Sequence, residues 1–382
     1  MITIGIDASR ANVRQRTGTE WYCYYLLQQF AQLYDPKQHR VILYVKEPLV
    51  EDLQTLPKDW SVRVLHWPPK LLWTQLRLSL QMCLPWQRPD LLFIPAHTIP
   101  IIHPKHTIYV AHDLGFERDP QLYANTYIGG RWLHWLIKLF TLGRYGTTEL
   151  DYHRWSMRYA VHHASRIITI SQFTKRELQA CYAVADERIA VVHNGYDQTQ
   201  YVPAAPTTSP AAVPYLFYVG RIERKKNINH LLQAFALLKT QYHLPHQLWL
   251  AGHLGYGFED FQPTADIKLL GYITEADKLK LLQQADLFVF PSQYEGFGIP
   301  VIEALACGTK VACSDIPPLR EIGGAACWYY DQTDPAAMAA VMQQALAADL
   351  ATFRQRALAQ VKPFSWQRCG TETWQVLLGN VH

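Results

Sequence analysis

Short β-branched runs recur along this 382-residue chain, each separated from the next by a stretch of helical periodicity. That alternation is the pattern of a parallel sheet flanked by helices, and it excludes all-helical and all-β architectures. Strands are expected near 2–6, 41–45, 62–65, 91–94, 107–110, 166–170 and 189–192, and again near 215–219, 247–251, 267–270, 287–290 and 310–313. Between the two series, Pro203 to Pro214 holds four prolines in twelve residues. Proline fixes φ and removes a backbone donor, so this stretch reads as a linker. The expected fold class is therefore α/β, with two units facing across a cleft. Ligands of such sheets bind beyond the carboxyl ends of the strands.

A hydrophobic content of 49% is enough to build large cores and argues against extended disorder. The net charge of +4 is too mild for a dedicated nucleic-acid binder, so no nucleic acid is expected as a partner. The charge is uneven: residues 1–205 carry +5 and residues 206–382 carry −1, which makes the first half the one to meet an anionic partner. Seven cysteines, an odd number with no C-x-x-C, indicate neither a disulfide framework nor a zinc site. No basic leader precedes the first strand, and no uncharged apolar run reaches the length of a spanning helix. A soluble, cytoplasmic protein is expected.

A dinucleotide-binding oxidoreductase fits poorly. The nearest approach to its glycine fingerprint, Gly296-Phe-Gly298-Ile-Pro-Val301, lacks the third glycine, and the first strand runs into Asp7-Ala-Ser-Arg10 with none. The same stretch is informative in another way. From Phe290 to Gly308 a strand ends, a glycine-rich loop follows, and Pro300 marks the first turn of a helix closed by Gly308. Unpartnered N–H groups at that helix start would suit a phosphate, while Glu295 and Glu303 could offer carboxylates to hydroxyls at two ends of one ligand. The bland alternative is a strand–turn–helix with two solvated glutamates.

Glu295 and Glu303 with their surroundings resemble the E-x7-E signature of retaining, nucleotide-sugar-dependent glycosyltransferases of the glycogen-synthase-like superfamily, the family-four enzymes. Val219-Gly220-Arg221 to Lys226-Asn227, Leu270 to Ile273, Ala285 to Ser292, Ile170 to Glu177 and His193 to Asp197 extend the resemblance in order along nearly the whole chain. The wording is closest to bacterial mannosyltransferases of surface polysaccharides. The resemblance implies a GT-B fold of two Rossmann-like domains: an acceptor-side domain over 1–205 with a Trp-rich insertion near 116–160, a nucleotide-sugar domain over 206–361, and a helix in 362–382 crossing back to the first.

By the same resemblance Glu295 binds hydroxyls of the transferred sugar and Glu303 the ribose. Backbone amides of Phe297, Gly298 and Ile299 lie near the sugar and diphosphate, Arg221 and Lys226 hold the diphosphate, and Tyr272 and Ile273 pack along the base. A departing nucleoside diphosphate gains charge, which fixed cations stabilise. Gly18 would approach the donor phosphate and acceptor, although Thr17 and Glu20 also spell a capping box. His112, at the end of a strand, would lie beside the transferred sugar; a packed structural histidine is the other reading. Ser171 and Thr174 read as helix caps.

No Asp-x-Asp occurs, so no metal is expected on the diphosphate, and no cofactor beyond the nucleotide-sugar donor. His103-x-x-His106 and His243-x-x-His246 each enclose a proline and lie near no cysteine cluster, so both are read as non-metal. The implied reaction is retaining hexosyl transfer to a glycan or lipid-linked acceptor. The alternatives are a sugar-nucleotide epimerase or hydrolase of the same fold, or a non-catalytic binding subunit. Around Trp132 and Trp135, helical spacing puts Arg131, His134 and Lys138 on one side, and Trp67–Trp86 is similarly apolar with Lys70 and Arg77. Residues 128–146 read equally as a helix lying on an anionic membrane surface or as a buried or oligomer-contact helix.

Overall fold

A computed structural model describes residues 1–67, 72–120, 148–205 and 213–380. The 128–146 segment, Lys70 and most of the proline-rich stretch lie outside these residues. The chain divides into two compact units, one formed by Met1–Asn194 with Trp366–His382 and the other by Gly195–Ser365.

The first unit is built on a seven-stranded parallel sheet. Its strands are β1 (Ile2–Asp7), β2 (His39–Val45), β3 (Ser61–Val64), β4 (Leu91–Ile94), β5 (His106–Ala111), β6 (Arg166–Thr169) and β7 (Ile189–Val191), in the order β3-β2-β1-β4-β5-β6-β7. The second unit has six parallel strands: β8 (Tyr215–Val219), β9 (Gln247–Ala251), β10 (Ile267–Gly271), β11 (Leu287–Phe290), β12 (Val311–Ser314) and β13 (Trp328–Tyr330), in the order β10-β9-β8-β11-β12-β13. Central strands such as β4, β11 and β12 are buried at every position, because helices cover both faces of each sheet.

Twelve strands lie where the sequence pattern puts them. The thirteenth, β13, has only three residues at a sheet edge, too short to register as a periodic run. In both sheets all strands are parallel, and the order in which the chain lays them down reverses once, between β1 and β4 and between β8 and β11. Crossovers leave the sheet to opposite sides there and open a crevice beyond the strand ends.

The divisions between units fall at 194/195 and 365/366, not at 205/206 and 361/362. Residues 195–205 are tied to the second unit by hydrogen bonding: Tyr196 bridges to Ser365, the Gln198 amide donates to the Lys362 and Phe364 carbonyls, and Tyr201 donates to Glu275. The helix Trp366–Leu378 instead packs on the helix Gly18–Leu33 of the first unit. There Trp366 stacks on Tyr25 with ring centroids 4.8 Å apart, and Trp374 lies 5.0 Å from Phe30. Two large aromatics buried on one helical stripe explain why this end of the chain returns.

Candidate functional site

In the second unit the residues singled out in the sequence gather beyond the carboxyl ends of β8, β10 and β11, around the β8/β11 crevice. After β8 the chain passes Gly220 and Arg221 into a tight turn, Arg224–Lys226, ended by Asn227 in the left-handed region at φ 58°. Buried Asn227 fixes this turn. Its Nδ2 donates to the Gln332 carbonyl at 2.8 Å, and its Oδ1 accepts from Gln293 in the loop after β11. The neighbouring ammonium, Lys226 Nζ, is thereby delivered to the same loop and donates to Glu295 Oε1 at 2.5 Å. Both side chains are largely sheltered from solvent. An ammonium has three donors, so this one keeps capacity for an anion beside Glu295. Arg221 is 67% exposed, with Glu223 at 3.7 Å, and presents its guanidinium to solvent.

Close backbone approach shapes the crevice floor. A Cβ at Gly252, just past β9, would lie 1.9 Å from the Gly220 carbonyl oxygen, so only glycine lets the β8 and β9 exits run side by side. Gly298, at φ 113°, starts the helix Ile299–Ala306. A Cβ there would meet Leu319 at 2.7 Å and Ile322 at 3.1 Å. The space is taken by the chain's own helix Pro317–Gly323. Phe297 is buried edge-on against Phe364, and Ile299 with Pro300 opens the first turn, where Pro300 brings no N–H and the Val301 N–H donates to the Gly298 carbonyl at 3.0 Å.

Glu303, one turn along that helix, is buried. Its carboxylate meets Lys278 Nζ at 3.0 and 3.1 Å, and the same ammonium lies 2.7 Å from Glu275, which also accepts from Tyr201. Burial pushes the Glu303 carboxyl up, partly countered by Lys278. Burial alone would lower the Lys278 ammonium, but Glu303 and Glu275 hold it above its ordinary value. Oε2 of Glu303 is close to Lys278 yet makes no directed hydrogen bond, which leaves it a buried acceptor. Tyr272 is half-exposed after β10 and stacks on His253 at 5.6 Å and 17°, forming a small aromatic shelf; Ile273 lies beside it in sequence, partly buried.

Gly18 and His112 belong to the first unit. The capping box predicted at the start of Gly18–Leu33 is present: the Thr17 N–H donates to Glu20 at 3.2 Å. A Cβ at Gly18 would meet nothing within 4 Å, so packing does not demand glycine there. His112 follows β5; its Nε2 lies 3.0 Å from the Pro95 carbonyl, and its ring packs edge-on to Tyr22. A carbonyl only accepts, so Nε2 carries the proton and Nδ1 keeps its lone pair. Burial lowers the ring's pKa and keeps it neutral near pH 7. Ser171 caps its helix by accepting from the Thr174 N–H at 3.0 Å, the structural role its sequence suggests.

Residues 16–200 match the family described as Glycosyltransferase Family 4, and residues 205–359 match Glycosyl transferases group 1. The chain belongs to the family-four glycosyltransferases. The O-antigen chain mannosyltransferase B of Escherichia coli is 32% identical to this glycosyltransferase over 257 residues, covering 62% of the chain and 67% of the relative. The O-antigen chain mannosyltransferase RfbU of Salmonella typhimurium is 26% identical over 271 residues, covering 69% and 66%. The glycosyltransferase thus spans about two thirds of the length of these relatives. Among solved structures, the sucrose-phosphate synthase of Thermosynechococcus elongatus superposes with a TM-score of 0.72 at 18% identity, covering 99% of each chain. WaaG, a glycosyltransferase involved in lipopolysaccharide biosynthesis, gives 0.70 at 15% identity over 99% of this chain and 100% of that one. These likenesses establish a two-domain α/β fold of the GT-B type.

Sequence reasoning missed Lys278 and Glu275 of this glycosyltransferase, the partners of Glu303. Their signal is faint: a lysine three residues after a glutamate on a helix following β10 reads as a surface pair. His97 and its partner His153, bonded at 2.9 Å, were also missed. His97 stands three residues past the end of β4, so the strand-end rule points to it.

Proposed function

We propose that this glycosyltransferase moves a hexose, mannose by preference, from a nucleoside diphosphate sugar to a glycan or lipid-linked acceptor, with retention and without a metal. The observation that carries the reading is the Lys226–Glu295 contact at the β8/β11 crevice, beside the start of Ile299–Ala306. It sets a cation for phosphate next to a carboxylate for sugar hydroxyls, the two chemistries a sugar diphosphate presents within a few ångströms.

Arg221 and Lys226 hold the diphosphate and stabilise the charge that grows on it as the bond to the sugar breaks. Backbone amides from Phe297, Gly298 and Ile299 add the polarity of the helix start. Glu295 orients the sugar, Glu303 takes the ribose, and Tyr272 with Ile273 supports the base. By the family resemblance, Gly18 and the neutral His112 are assigned to the sugar and acceptor. The departing phosphate oxygen takes the acceptor proton on the same face, which preserves the anomeric configuration. Mannose is supported by the two O-antigen mannosyltransferase relatives. The setting is surface polysaccharide or glycolipid synthesis at the cytoplasmic face of a membrane. The basic, Trp-rich 128–146 segment supports peripheral contact there, and among the described residues no single helix is long and apolar enough to cross the bilayer.

A thermal-shift panel of GDP-mannose, UDP-glucose, ADP-glucose and the free nucleotides in excess EDTA tests this reading. A ligand at a hundred times its Kd stabilises by about 2.7 kcal/mol, so GDP-mannose should stand out. A larger shift with another donor would overturn the mannose assignment. A shift that requires Mn²⁺ or Mg²⁺ would overturn metal independence, and no shift with any nucleotide would overturn the donor site.

A further inference from the structure

The first unit carries a histidine cluster at the point where its own strand order reverses. Arg10 follows β1, His97 follows β4, and His112 with Asp113 follows β5, so all four lie beyond the carboxyl ends of adjacent strands. The helix Glu149–His163 brings two more groups. Its start is fixed by a capping box between Thr148 and Asp151, and Glu149 and His153 are one turn apart on it.

Hydrogen-bond chemistry sets the direction of this chain. Glu149 Oε1 lies 3.5 Å from His153 Nε2, and a carboxylate only accepts, so His153 carries its proton on Nε2. His153 Nδ1 is then an acceptor, and His97 Nε2–H donates a hydrogen bond to it at 2.9 Å. His97 Nδ1 is left with a lone pair and no partner among the described residues. The ring of Phe116 stacks on His153 at 5.4 Å and 19° and holds the pair in place. His112 repeats the arrangement: its Nε2–H donates to the carbonyl of Pro95, within the same turn that carries His97, and its Nδ1 is also a lone pair. The charged groups acting on these rings are Arg10, Glu20, Asp113 and Glu149. Burial and the neighbouring His153 hold His97 well below the usual histidine pKa, so it is neutral near pH 7.

Resting on the transferase reading above, we propose that Glu149, His153 and His97 form an orienting relay, and that His97 Nδ1 is a hydrogen-bond acceptor for a hydroxyl of the saccharide acceptor. Two neutral imidazole lone pairs repel anions and call for donors, and the nearby Arg10 disfavours a cationic ligand. Hydroxyls remain, and a saccharide presents several at the spacing of one ring. His97 is the binding residue; His153 and Glu149 are positioning residues that act through it.

The test uses the full chain with ¹⁵N-labelled histidine, GDP-mannose as donor and octyl α-mannoside as acceptor probe. Octyl α-mannoside alone should move the His97 ring ¹⁵N signals, and no movement overturns the proposal. Glu149→Ala should change the His97 ring signals without touching that residue; an unchanged spectrum overturns the relay. In steady-state transfer, His97→Ala should raise KM for octyl α-mannoside about tenfold, as expected for one lost hydrogen bond, with KM for GDP-mannose unchanged. His97→Gln, whose amide oxygen still accepts, should recover part of the loss. An equal rise in both KM values would mark a structural role and overturn the assignment. Wild-type protein that transfers nothing from GDP-mannose would sink the mannosyl reading, while the ring-signal outcome decides the relay on its own.

Discussion

Replacing Lys278 by methionine keeps the side chain's length and removes its charge from between Glu303 and Glu275. In the native chain one ammonium, 13% exposed, lies 2.7 Å from Glu275 and 3.0 Å from Glu303, whose side chain is 7% exposed. Removing one partner of a buried pair costs about 3–5 kcal/mol, because the other charge stays buried without compensation. Glu275 is 38% exposed and can turn to water, so the lower end, about 3 kcal/mol, applies. For the second unit, of about 170 residues, that corresponds to a Tm lower by roughly 6–12 °C at pH 7.5. The pH dependence supplies the sharper test. Burial already raises the Glu303 pKa above its ordinary value, and losing Lys278 raises it further. A carboxyl with a raised folded pKa binds more protons folded than unfolded, so the variant loses stability as pH rises above the unfolded value of 4.5. The gap between wild type and variant should therefore be widest at neutral pH and shrink towards pH 5. Calorimetric melts of both proteins across this range measure it. Equal Tm values at pH 7.5, or a gap that widens on acidification, would refute the reasoning.

Alanine at Arg221 or Lys226 should lower turnover by about two orders of magnitude or more with melting little changed, since each removes a charge acting on the leaving group; near-native turnover in both would reject the diphosphate assignment. Glu303→Ala should weaken free GDP in titration calorimetry, whereas Glu295→Ala should spare GDP and damage transfer, and the reverse ordering would mean the loop is misassigned. Gly252→Ala places a methyl 1.9 Å from the Gly220 carbonyl oxygen and should destabilise the second unit and lower its nucleotide affinity. Denaturant unfolding and GDP titration check that pair of effects, and an unperturbed variant would show that the β8 and β9 exits can move apart. Above pH 10.5 the native chain should lose the Lys278 contribution, because a lysine with a raised folded pKa stabilises fully below its unfolded value and ceases to do so as pH rises through the folded one; flat melting temperatures there would contradict it.

Much of this protein is legible in consecutive residues. Strand positions follow from β-branched runs, the caps at Thr17 and Ser171 from side-chain oxygens three residues before a partner, and the Glu295–Glu303 loop from its glycines and proline. These features depend on interactions within a turn or two of chain, so the local sequence is enough to determine them. Tertiary structure decided which charges meet. Lys278 and Glu303 are 25 residues apart, Lys226 and Glu295 are 69 apart, and His97 and His153 are 56 apart. Their encounters depend on the order of strands in each sheet and on which helix crosses which strand end. Gly298 makes the same point: only packing shows that Leu319 and Ile322 fill the space a side chain would need. A buried ammonium between two carboxylates and an imidazole chain at a strand end are long-range objects, because low dielectric and fixed geometry arise only once the sheets are assembled.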